Sequence, residues 1–593
     1  MVTGFPKSSN EMNSGCIYCV YYRILKRHSF YKSIKMLVRN AFFFVFLSFL
    51  FIAPKISAHD FSNDELAEAI RLRLETAQAY GQMRLGEEPV FCINTLPEFY
   101  VSRDFQPLWI TTRDKYQKAK EMLSIIGDAE EEGLAPDDYH YAHILKSLNH
   151  SIRHDSVGRF ELIKLELLLS DAFFLYASHL YYGKLNPETA DPEWKAKRKT
   201  NSFDFAGYLT EAVESGKLRE YTQVLAPSLP EYTILKSFLD YYREVVSKGG
   251  FPNVPAGDKL QKGDSSERVV AIKRRLYMGS NVEIKDGNMS PFFDDDLEAA
   301  LKIFQRRNGL GADGVAGVKT VELLNVPAVK RTQDIKINME RLRWLPEDLG
   351  ERYILVNLGS FELEIFDKAS RTYDSEVIIG KTYRKTPVFS SKMTYLVLNP
   401  TWTVPPTILK SDILPEARKD PSVITRKGLK VLRSDGTEVP LADVDWPNVS
   451  STNFPYMLRQ PPGPSNALGD VKFMFPNPYS VYIHDTPSRE MFNKSERAFS
   501  SGCIRLKNPL NMAAYLLAGT KYTREEIGKI VQTRVETTIT LPKPLDVHIL
   551  YLTAWVSESN SLRFGVDVYE RDARIAKGLS GTPEVGSSIG SRL

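Results

Sequence analysis

Apolar residues recur at helical spacing over the first half of the chain. The stretch SNDELAEAIRLRLETAQAY begins with a capping side chain, either Ser62 or Asn63, and has acidic residues in its first turn, which predicts a helix to about Tyr80. Helical spacing continues over 112–246, and the segment 161–185 is apolar on nearly every face, as in a helix buried within a bundle. Residues 59–248 are therefore predicted to form an α-helical domain.

The pattern changes after a Gly-, Pro- and Asp-rich linker at 249–266. A short unit at 267–326 has the spacing of three helices, and over 335–569 alternation with period two predicts strands, with RYILVNLGSFELEIFDK as a hairpin. A polar, Pro-rich excursion at 401–458 interrupts these strands and is either a lid or a decorative loop. Residues 570–593 have the composition of a disordered tail. The predicted fold class is multidomain α+β, with a helical domain, a small three-helix module and a mainly-β domain carrying an inserted lid.

Residues 1–58 have the character of an export signal. Many basic residues precede the apolar run AFFFVFLSFLFIA, and small residues follow it up to Ala58. The run is shorter than the roughly 20 residues of a membrane span, but it has the length of a signal-peptide core. Met36 is an alternative start that would give a compact signal peptide. Cleavage near Ala58 and retention as a membrane anchor both remain open, and either one exports the remainder.

The composition and the histidine pattern give no sign of nucleic-acid binding or of a metal site. The chain has 593 residues, 43% hydrophobic and 25% charged, which fits a globular protein with more than one core. A net charge of +4 with no basic run interleaved with aromatic residues gives no indication of nucleic-acid binding. His140 and His143 form an H-x-x-H pair without a third ligand in register, so they are expected to be ordinary helix-start histidines. No metal and no cofactor is predicted.

The cysteines give two alternatives. Cys16 and Cys19 precede the signal core, so their C-x-x-C spacing is taken as incidental. The exported part then contains only Cys92 and Cys503. In an oxidising compartment these two form a structural disulfide, or one is a structural thiol and the other is a working one. The sequence leaves both open.

One window carries candidate chemistry, VYIHDTPSREMFNKSERAFSSGCIRL, which begins at Val481. A thiol attacks as the thiolate, and an imidazole such as that of His484 can take the proton of Cys503. Gly502 permits a sharp turn that would aim backbone N–H groups at an oxyanion, and a predicted strand ends at His484. A buried thiol and an unrelated strand-end histidine would explain the same window.

The three-helix unit resembles a known module. Its stretch FQRRNGLGADGVAGVKTVELLN closely resembles the peptidoglycan-binding domain-1 pattern, and the matching positions are Phe304, Gln305, Gly309, Leu310, Asp313, Gly314, Gly317, Thr320 and Leu324. Most of these are turn glycines and core positions. The resemblance therefore implies the fold, while binding of peptidoglycan and use as a structural spacer are both open.

The region 336–569 resembles a YkuD-type L,D-transpeptidase catalytic domain. The family signature is a His, a spacer and then S/T-H-G-C-x-N/R, which His484, Ser500, Gly502, Cys503 and Arg505 match. Together with the helical domain, the module and the insertion, the whole arrangement is similar to the large YcbB-like members. That resemblance implies a scaffold domain at 59–248 and a substrate cap at 401–458.

The resemblance also implies a reaction. The Cys503 thiolate, formed by His484, would attack the stem tetrapeptide at meso-diaminopimelate, release D-Ala and pass the acyl group to an amine, giving 3→3 cross-links. The N–H groups of Gly502 and Cys503, helped by Tyr482, would hold the oxyanion. L,D-carboxypeptidase activity and attachment of a protein to peptidoglycan share this acyl-enzyme. A non-catalytic wall-binding protein, with Cys503 tied to Cys92, is the alternative from another class.

Further residues of the motif have roles that the sequence leaves open. Ser501 stands where many members have a second His, and Ser500 is expected to be a hydrogen-bonding brace rather than a nucleophile. Asp485 would orient the catalytic imidazole through its side chain or its carbonyl. Arg505 suits a substrate carboxylate or the loop backbone, and Trp402 either lines the cleft beneath the lid or packs in a core.

The implied partners are peptidoglycan stem peptides, and the implied location is the periplasm, in association with the cell wall. Membrane association through an uncleaved N-terminal segment is the variant of this location. Nothing in the sequence indicates an oligomeric state.

Overall fold

The computed structural model describes residues 61–583, apart from short gaps at 111–115, 155–156, 197–198, 200–202, 280–288, 369 and 558. The predicted signal segment at 1–58 lies outside the described residues, as do Met36, Cys16 and Cys19. Within the described part of the chain, no helix combines the length and the apolar character that crossing a membrane requires.

A helical domain comes first, as predicted. Its helices span Asn63–Tyr80, Thr95–Val101, Gln117–Gly127, Tyr141–Arg153, Arg159–Tyr182, Pro187–Ala190, Phe205–Glu214, Leu218–Val224 and Pro230–Ser247. The predicted start of the first helix is confirmed, because the Ser62 hydroxyl accepts the Glu65 N–H at 3.2 Å while the Glu65 carboxylate accepts the Ser62 N–H at 2.9 Å. Gly81, with φ of 65°, ends that helix.

The central helix Arg159–Tyr182 is buried on nearly every face, as its composition predicts. Its two buried acidic side chains accept hydrogen bonds from the loops around it. Glu166 accepts the N–H groups of Leu108, Trp109 and Ile110 at 2.6–3.2 Å. Asp171 accepts the Cys92 N–H at 2.7 Å and lies 2.8 Å from His140 Nε2. Buried carboxylates with this many donors fix the backbone that surrounds them.

His140 and His143 are held by acidic side chains of the helical domain. His140 Nδ1 and His143 Nε2 each lie 2.8 Å from a carboxylate oxygen of Glu88. Burial opposes protonation of His140, but hydrogen bonds to Asp171 and Glu88 outweigh it and raise its pKa to about 9. These contacts describe a structural ion-pair network. Among the described residues, no group of three or more His, Cys, Asp or Glu side chains is placed to hold a metal ion.

The small module consists of the helices Glu267–Gly279, Asp295–Arg307 and Val318–Leu324 around its own apolar core. The Gln305 side chain connects its turns, since it donates to Asp313 at 2.7 Å and accepts the Gly314 N–H at 2.9 Å. Gly314 has a φ of 77°, which explains a glycine at this position. The predicted three-helix module is confirmed.

Strands dominate the rest of the chain. In chain order they are β1 (Arg84–Leu85), β2 (Glu88–Pro89), β3 (Trp194–Lys195), β4 (Arg352–Asn357), β5 (Glu362–Asp367), β6 (Ser370–Gly380), β7 (Val388–Leu398), β8 (Trp402–Thr403), β9 (Lys430–Leu432), β10 (Glu438–Val439), β11 (Met457–Gln460), β12 (Val471–Met474), β13 (Ile483–His484), β14 (Ala498–Ser500), β15 (Ile504–Leu506), β16 (Thr537–Leu550), β17 (Ala554–Val556) and β18 (Leu562–Phe564). The predicted hairpin is the antiparallel pair β4–β5.

The central sheet has the order β12-β13-β15-β6-β5-β4-β16-β7-β3, and β14 also pairs with β6. A further pairing of β12 with β7 closes the sheet upon itself. Strand β3 belongs to the helical domain and pairs in parallel with β7, so the two domains share a sheet edge. Helices Pro509–Leu516 and Arg524–Thr533 lie between β15 and β16. The mainly-β prediction for this region is confirmed.

The expected start of this domain at residue 335 is wrong in its local structure, because a helix spans Ala328–Arg343 and the first strand is β4. Ile335, Met339 and Leu342 follow each other at helical spacing and are buried. This helix packs on the helix Pro230–Ser247. The apolar residues of this segment are closely spaced, which resembles the alternation of a strand. Packing against the neighbouring helix instead makes the segment helical.

The expectation of a disordered tail at 570–593 is also wrong for its first part, since a helix spans Asp572–Ser580. Asp572 forms an ion pair with buried Arg341 at 2.7 Å, and Ile575 is fully buried. Lys184 of the helical domain donates to the carbonyls of Leu579 and Gly581 at 2.9 and 2.7 Å. Tertiary contacts therefore order this polar-looking segment. Residues 584–593 lie outside the described residues.

Replacing Ile575 by Ala tests this packing. The free energy of unfolding is expected to fall by about 2–4 kcal/mol, because a buried isoleucine leaves a cavity. Lys577→Ala on the exposed face of the same helix is the matched control, and its effect is expected to be within about 0.5 kcal/mol. Denaturant unfolding of both variants measures the difference, and equal stability of the two would contradict a packed helix.

The insertion at 401–458 is a folded subdomain rather than a loop. Its sheet has the order β10-β9-β11-β8, and short helices span Pro406–Ile408, Leu414–Ala417 and Ser422–Arg426. Buried apolar residues form a separate core within it, among them Leu414, Ile424 and Trp446. A segment with its own core can move as a unit. The description as a decorative loop does not fit this structure.

Candidate active site

Two neighbouring strands of the central sheet bring the predicted site together. Strands β13 and β15 are parallel, with Ile483 opposite Ile504 and His484 opposite Arg505. The Ile504 N–H donates to the Tyr482 carbonyl at 3.1 Å, which extends this pairing one step back. Side chains alternate along strands, so Tyr482 and His484 face the same side as Cys503 and Arg505. The local register thus explains how residues from the two ends of the motif meet.

The segment 500–503, called the nucleophile turn below, is held by side chains. The Ser500 hydroxyl accepts the Gly502 N–H at 3.1 Å and donates to the Cys503 carbonyl at 2.5 Å. The Thr386 hydroxyl donates to the Gly502 carbonyl at 2.9 Å. Gly502 has a φ of 117°, a conformation that favours glycine. In this geometry Ser500 braces the turn.

The same contacts change one expectation about the oxyanion donors. The Gly502 N–H, predicted to face an oxyanion, already donates to Ser500. The Cys503 N–H has no hydrogen-bond partner among the residues that the structure describes. One of the two predicted backbone donors is therefore occupied by the fold, and the other is available.

The Cys503 thiol is half-buried and lies against Tyr482. Its sulfur is 3.6 Å from the Ser480 carbonyl oxygen, to which the thiol donates. Burial raises the pKa of the Cys503 thiol above its ordinary value, against hydrogen bonds with Tyr482 and the charge of Arg505, which lower it. The free protein therefore holds a neutral thiol near neutral pH, and its partner in this state is a carbonyl rather than the imidazole.

The His484 imidazole is neutral and fixed in one tautomer. Burial, together with the positive charge of Arg505, lowers the pKa of His484 to about 3, while the Asp485 carbonyl opposes this shift. The ring Nδ1 lies 2.5 Å from that carbonyl, which assigns the proton to Nδ1 and leaves Nε2 as the basic nitrogen. A neutral imidazole with a free Nε2 is the form that a general base needs.

Asp485 orients His484 through its carbonyl and not through its carboxylate. The carboxylate oxygens accept the N–H groups of Thr486 at 2.7 Å and Asp470 at 2.9 Å, and Arg489 pairs with them at 3.1 Å. Gly469 lies so close that an added Cβ would be 2.4 Å from Asp485 Cγ. The side chain therefore braces the loop behind the histidine, and the carbonyl is the group that faces the imidazole.

Arg505 and Trp402 both border the site. Arg505 Nε is buried and has no hydrogen-bond partner among the described residues. Trp402 is half-buried at the base of the insertion and lies close enough to Tyr482 to oppose the rise in its pKa. The Tyr482 and His484 ring centroids are 5.6 Å apart. Burial raises the pKa of Tyr482 and the neighbouring Cys503 raises it further, so Tyr482 keeps its proton.

Sequence reasoning missed three residues of the site. Nothing in the sequence signals that the Thr386 hydroxyl contacts Gly502. Tyr569 accepts the Thr386 N–H at 3.1 Å and donates to the Gly380 carbonyl at 2.7 Å, although it lies far along the chain. Arg384 donates to the Ser501 hydroxyl at 3.1 Å. Only the folded sheet brings these residues to the nucleophile turn.

Cys92 and Cys503 are free thiols in the structure. Cys92 is buried in the core of the helical domain, and this burial, together with the neighbouring Asp171, keeps the pKa of Cys92 well above the ordinary value. Cys503 belongs to a different domain. The alternative of a disulfide between them is wrong for this structure.

The described residues also form a cavity of about 960 Å³, away from this site. It lies between the three-helix module and the central sheet, and Arg306, Lys319 and Trp555 are among its lining residues. Neither Cys503 nor His484 lines it. The chemistry discussed above belongs to the shallower surface around the nucleophile turn.

The pKa of the thiol leads to a testable pH dependence. Because burial raises the pKa of Cys503, its alkylation by iodoacetamide is expected to be slow at pH 7 and to rise about tenfold per pH unit toward that pKa. A pH series of labelling rates, read by mass spectrometry of the peptide containing Cys503, measures this. A rate already at its plateau at pH 6 would show a preformed thiolate and contradict the neutral pair.

Family models identify the domains in which these residues lie. The L,D-transpeptidase catalytic domain (YkuD) matches residues 351–530, a "Putative peptidoglycan binding domain" matches 265–324, and a scaffold domain matches 94–239. The chain thus carries a YkuD-type L,D-transpeptidase catalytic domain, together with the other domains of the large YcbB-like architecture. The resemblance of the sequence to that architecture is confirmed.

One curated relative has a description that matches the catalytic domain. A curated protein of Haemophilus influenzae described as "Putative L,D-transpeptidase" is 34% identical over 244 residues, or 41% of this chain. The match spans about half of that relative, 49% of its length. Solved structures of L,D-transpeptidases from Stackebrandtia nassauensis and Xylanimonas cellulosilytica are 12% and 14% identical, each over 50% of this chain and 96% and 98% of theirs. Their TM-scores of 0.20 and 0.17 are too low to support an argument.

Proposed function

We propose that the protein is a peptidoglycan L,D-transpeptidase in which Cys503 forms the acyl-enzyme. The observation that carries the proposal is the shared face of the strand pair β13–β15. On that face a thiol, a neutral imidazole with a free Nε2 and a tyrosine hydroxyl lie within a YkuD-type catalytic domain. This set supplies a nucleophile, a base and an oxyanion donor for acyl transfer.

In the first half-reaction the thiol proton moves to His484 Nε2 as Cys503 Sγ attacks the carbonyl carbon at the L-centre of meso-diaminopimelate. The bond between that carbon and the D-Ala nitrogen breaks, and the imidazolium returns its proton to the leaving amine. In the second, an acceptor amine attacks the thioester, loses a proton to His484 and displaces Cys503. The histidine pKa rises while it faces the thiolate, so the low value of the free protein does not prevent this cycle.

The oxyanion of each tetrahedral intermediate is assigned to the Cys503 N–H and the Tyr482 hydroxyl. The first has no partner among the described residues, and the second stays protonated and already contacts the sulfur. One preorganised donor of this kind typically contributes about 3–4 kcal/mol to the lowering of the barrier. Because Trp402 lies close enough to Tyr482 to affect the pKa of its hydroxyl, we assign it the role of holding that hydroxyl in place.

Arg505 is assigned to recognition of a substrate carboxylate. Its buried Nε lacks a hydrogen-bond partner among the described residues, and His484 lies directly opposite in the neighbouring strand. A planar guanidinium binds a carboxylate through two parallel hydrogen bonds. A stem peptide carries carboxylates on both sides of the bond that reacts, so a positive group at this place would select such donors.

The peptidoglycan partner follows from the module at 265–324 and from the catalytic domain. We therefore place the protein in the periplasm, in contact with the cell wall, after export by the segment at 1–58. Sequencing the mature N-terminus distinguishes cleavage near Ala58 from a retained membrane anchor.

Muropeptide analysis tests the choice of acceptor. The exported protein incubated with purified sacculi is expected to consume tetrapeptides and to form 3→3 dimers, and Cys503→Ala is the matched inactive control. Tripeptide formation without new dimers would show that water is the acceptor, as in an L,D-carboxypeptidase. Loss of tetrapeptides with protein bound to the sacculi would show a protein amine as the acceptor.

A further inference from the structure

The insertion at 401–458 and the nucleophile turn are connected by one arginine. Arg384 lies between β6 and β7, and its guanidinium forms two hydrogen bonds with the carboxylate of Asp412, at 2.6 and 2.7 Å. Asp412 belongs to the insertion, in a single π-helical turn that spans Leu409–Ile413. The same Nη1 atom donates to the Ser501 hydroxyl at 3.1 Å. The planar guanidinium of Arg384 thus binds the insertion and the nucleophile turn at the same time.

The backbone that carries Arg384 also lies directly against the nucleophile turn. A Cβ added at Gly380 would be 2.1 Å from the Arg384 carbonyl oxygen and 3.1 Å from Gly502 Cα, so the segments are in close contact. The Thr386 hydroxyl accepts the Gly380 N–H at 2.9 Å and donates to the Gly502 carbonyl at the same distance. Movement of the loop that carries Arg384 would therefore displace Gly502.

The charges at this point favour the closed contact. The hydrogen bond with Arg384 lowers the pKa of Asp412, and the same bond raises the pKa of Arg384. The Arg384 side chain is 18% exposed, compared with 42% for Asp412. Arg384 is thus the more buried member of the pair and stays beside the nucleophile turn. Asp412 moves with the insertion.

A second contact reaches the thiol from the same insertion. Trp402 lies close enough to Tyr482 to lower the pKa of its hydroxyl, and Tyr482 in turn lies beside Cys503. The insertion therefore reaches the site at two places. Trp402 lies beside Tyr482, next to the Cys503 sulfur, and Asp412 reaches the nucleophile turn through Arg384. Both contacts depend on the insertion being docked in its present position.

We propose that Arg384 is a positioning residue that couples docking of the insertion to the geometry of the nucleophile turn, with Asp412 as its docking partner. When the insertion is docked, Asp412 holds the guanidinium and the guanidinium holds Ser501. When the insertion lifts to admit a peptide, the pair breaks and the turn loses this support. Rapid acylation of Cys503 would then require the insertion to return after the donor has entered. This coupling rests on the proposed acyl-transfer function of Cys503.

Asp412→Asn is the direct test because it keeps the shape of the side chain and removes its charge. We expect it to lower kcat for Cys503 acylation by a disaccharide-tetrapeptide donor about 3- to 10-fold with little change in KM, as befits loss of one partly exposed ion pair. Asp412→Glu is expected to restore part of the rate. Arg384→Lys keeps the charge but loses the fork, and it is expected to resemble Asp412→Asn.

Glu416→Gln is the matched control. It removes the same charge from the same insertion, but Glu416 pairs at 3.2 Å with Lys427, which also belongs to the insertion. This pair does not reach the nucleophile turn, so acylation should stay within about twofold of the unsubstituted protein. Thermal unfolding of each variant shows whether folding is intact.

Hydrogen exchange gives a readout that does not depend on the substrate. The Gly502 N–H is bonded to Ser500 in the docked state, and Asp412→Asn is expected to increase its exchange about 3- to 10-fold while Glu416→Gln leaves it unchanged. Equal exchange in both variants, with equal acylation, would overturn the coupling. If the unsubstituted protein is not acylated by the donor, the proposed function fails, and the exchange experiment still decides the coupling by itself.

Discussion

Cys503→Ala is expected to abolish acylation by the donor peptide and to remove all 3→3 cross-linking. The alanine has no nucleophile, and the remaining groups of the site have no covalent route to the product. Binding to sacculi is expected to persist, since the module at 265–324 is a separate domain with its own core. Muropeptide analysis and a sedimentation assay with sacculi measure the two properties on the same preparation.

Cys92→Ala is the matched control for that substitution. Cys92 is the other thiol among the described residues, and it is buried in the helical domain. Its replacement is expected to cost about 1–2 kcal/mol of stability and to leave the acylation rate of Cys503 unchanged. Retained cross-linking by Cys503→Ala, or loss of cross-linking by a folded Cys92→Ala, would remove Cys503 from its assigned role.

His484→Gln is expected to lower the rate of acylation by about 10²–10⁴-fold at pH 7, the usual contribution of a positioned general base. The glutamine amide can still donate to a carbonyl, but it cannot take the thiol proton. The loss should become smaller at alkaline pH, where hydroxide forms the thiolate without a base. A purely structural effect of the substitution would not have this pH dependence.

The control for this variant is His143→Gln in the helical domain, where the imidazole pairs with Glu88 at 2.8 Å. It is expected to acylate at the unsubstituted rate. Rates measured with the donor peptide between pH 6 and 10 decide the matter. A folded His484→Gln protein that acylates within about threefold of the unsubstituted rate would show that another group is the base.

Local sequence patterns predicted the elements that depend on local forces. The capping box at Ser62 and the alternation of β4 and β5 each involve neighbouring residues, and both predictions are confirmed. The module at 267–326 followed from turn glycines such as Gly314, whose positive φ restricts the residue type. Such features need no knowledge of the distant chain.

The errors come from contacts between distant segments. The helix Ala328–Arg343 looked like the start of the strands, and only its packing on the helix Pro230–Ser247 explains its conformation. The helix Asp572–Ser580 looked too polar to fold, but an ion pair with Arg341 and the Lys184 contacts hold it. Neither partner is near in sequence, so no local pattern could reveal them.

In the candidate site, too, the sequence motif predicted some features, and others depend on the folded backbone. The motif identified Cys503 and His484, and the register of β13 and β15 shows how the fold brings them together. The sequence could not show that Ser500 occupies the Gly502 N–H, nor that the Asp485 carbonyl is the group that orients the imidazole. Those details depend on backbone geometry to within about an ångström, which residue type does not determine.

Intact-protein mass spectrometry after mixing with disaccharide-tetrapeptide tests the central claim most directly. The protein is expected to gain the mass of the donor minus D-Ala, with the acyl group on the peptide that contains Cys503, and to lose it on addition of an acceptor amine. Cys503→Ala should gain nothing. Product formation from the donor without any adduct on Cys503, under conditions that trap thioesters, would contradict the account.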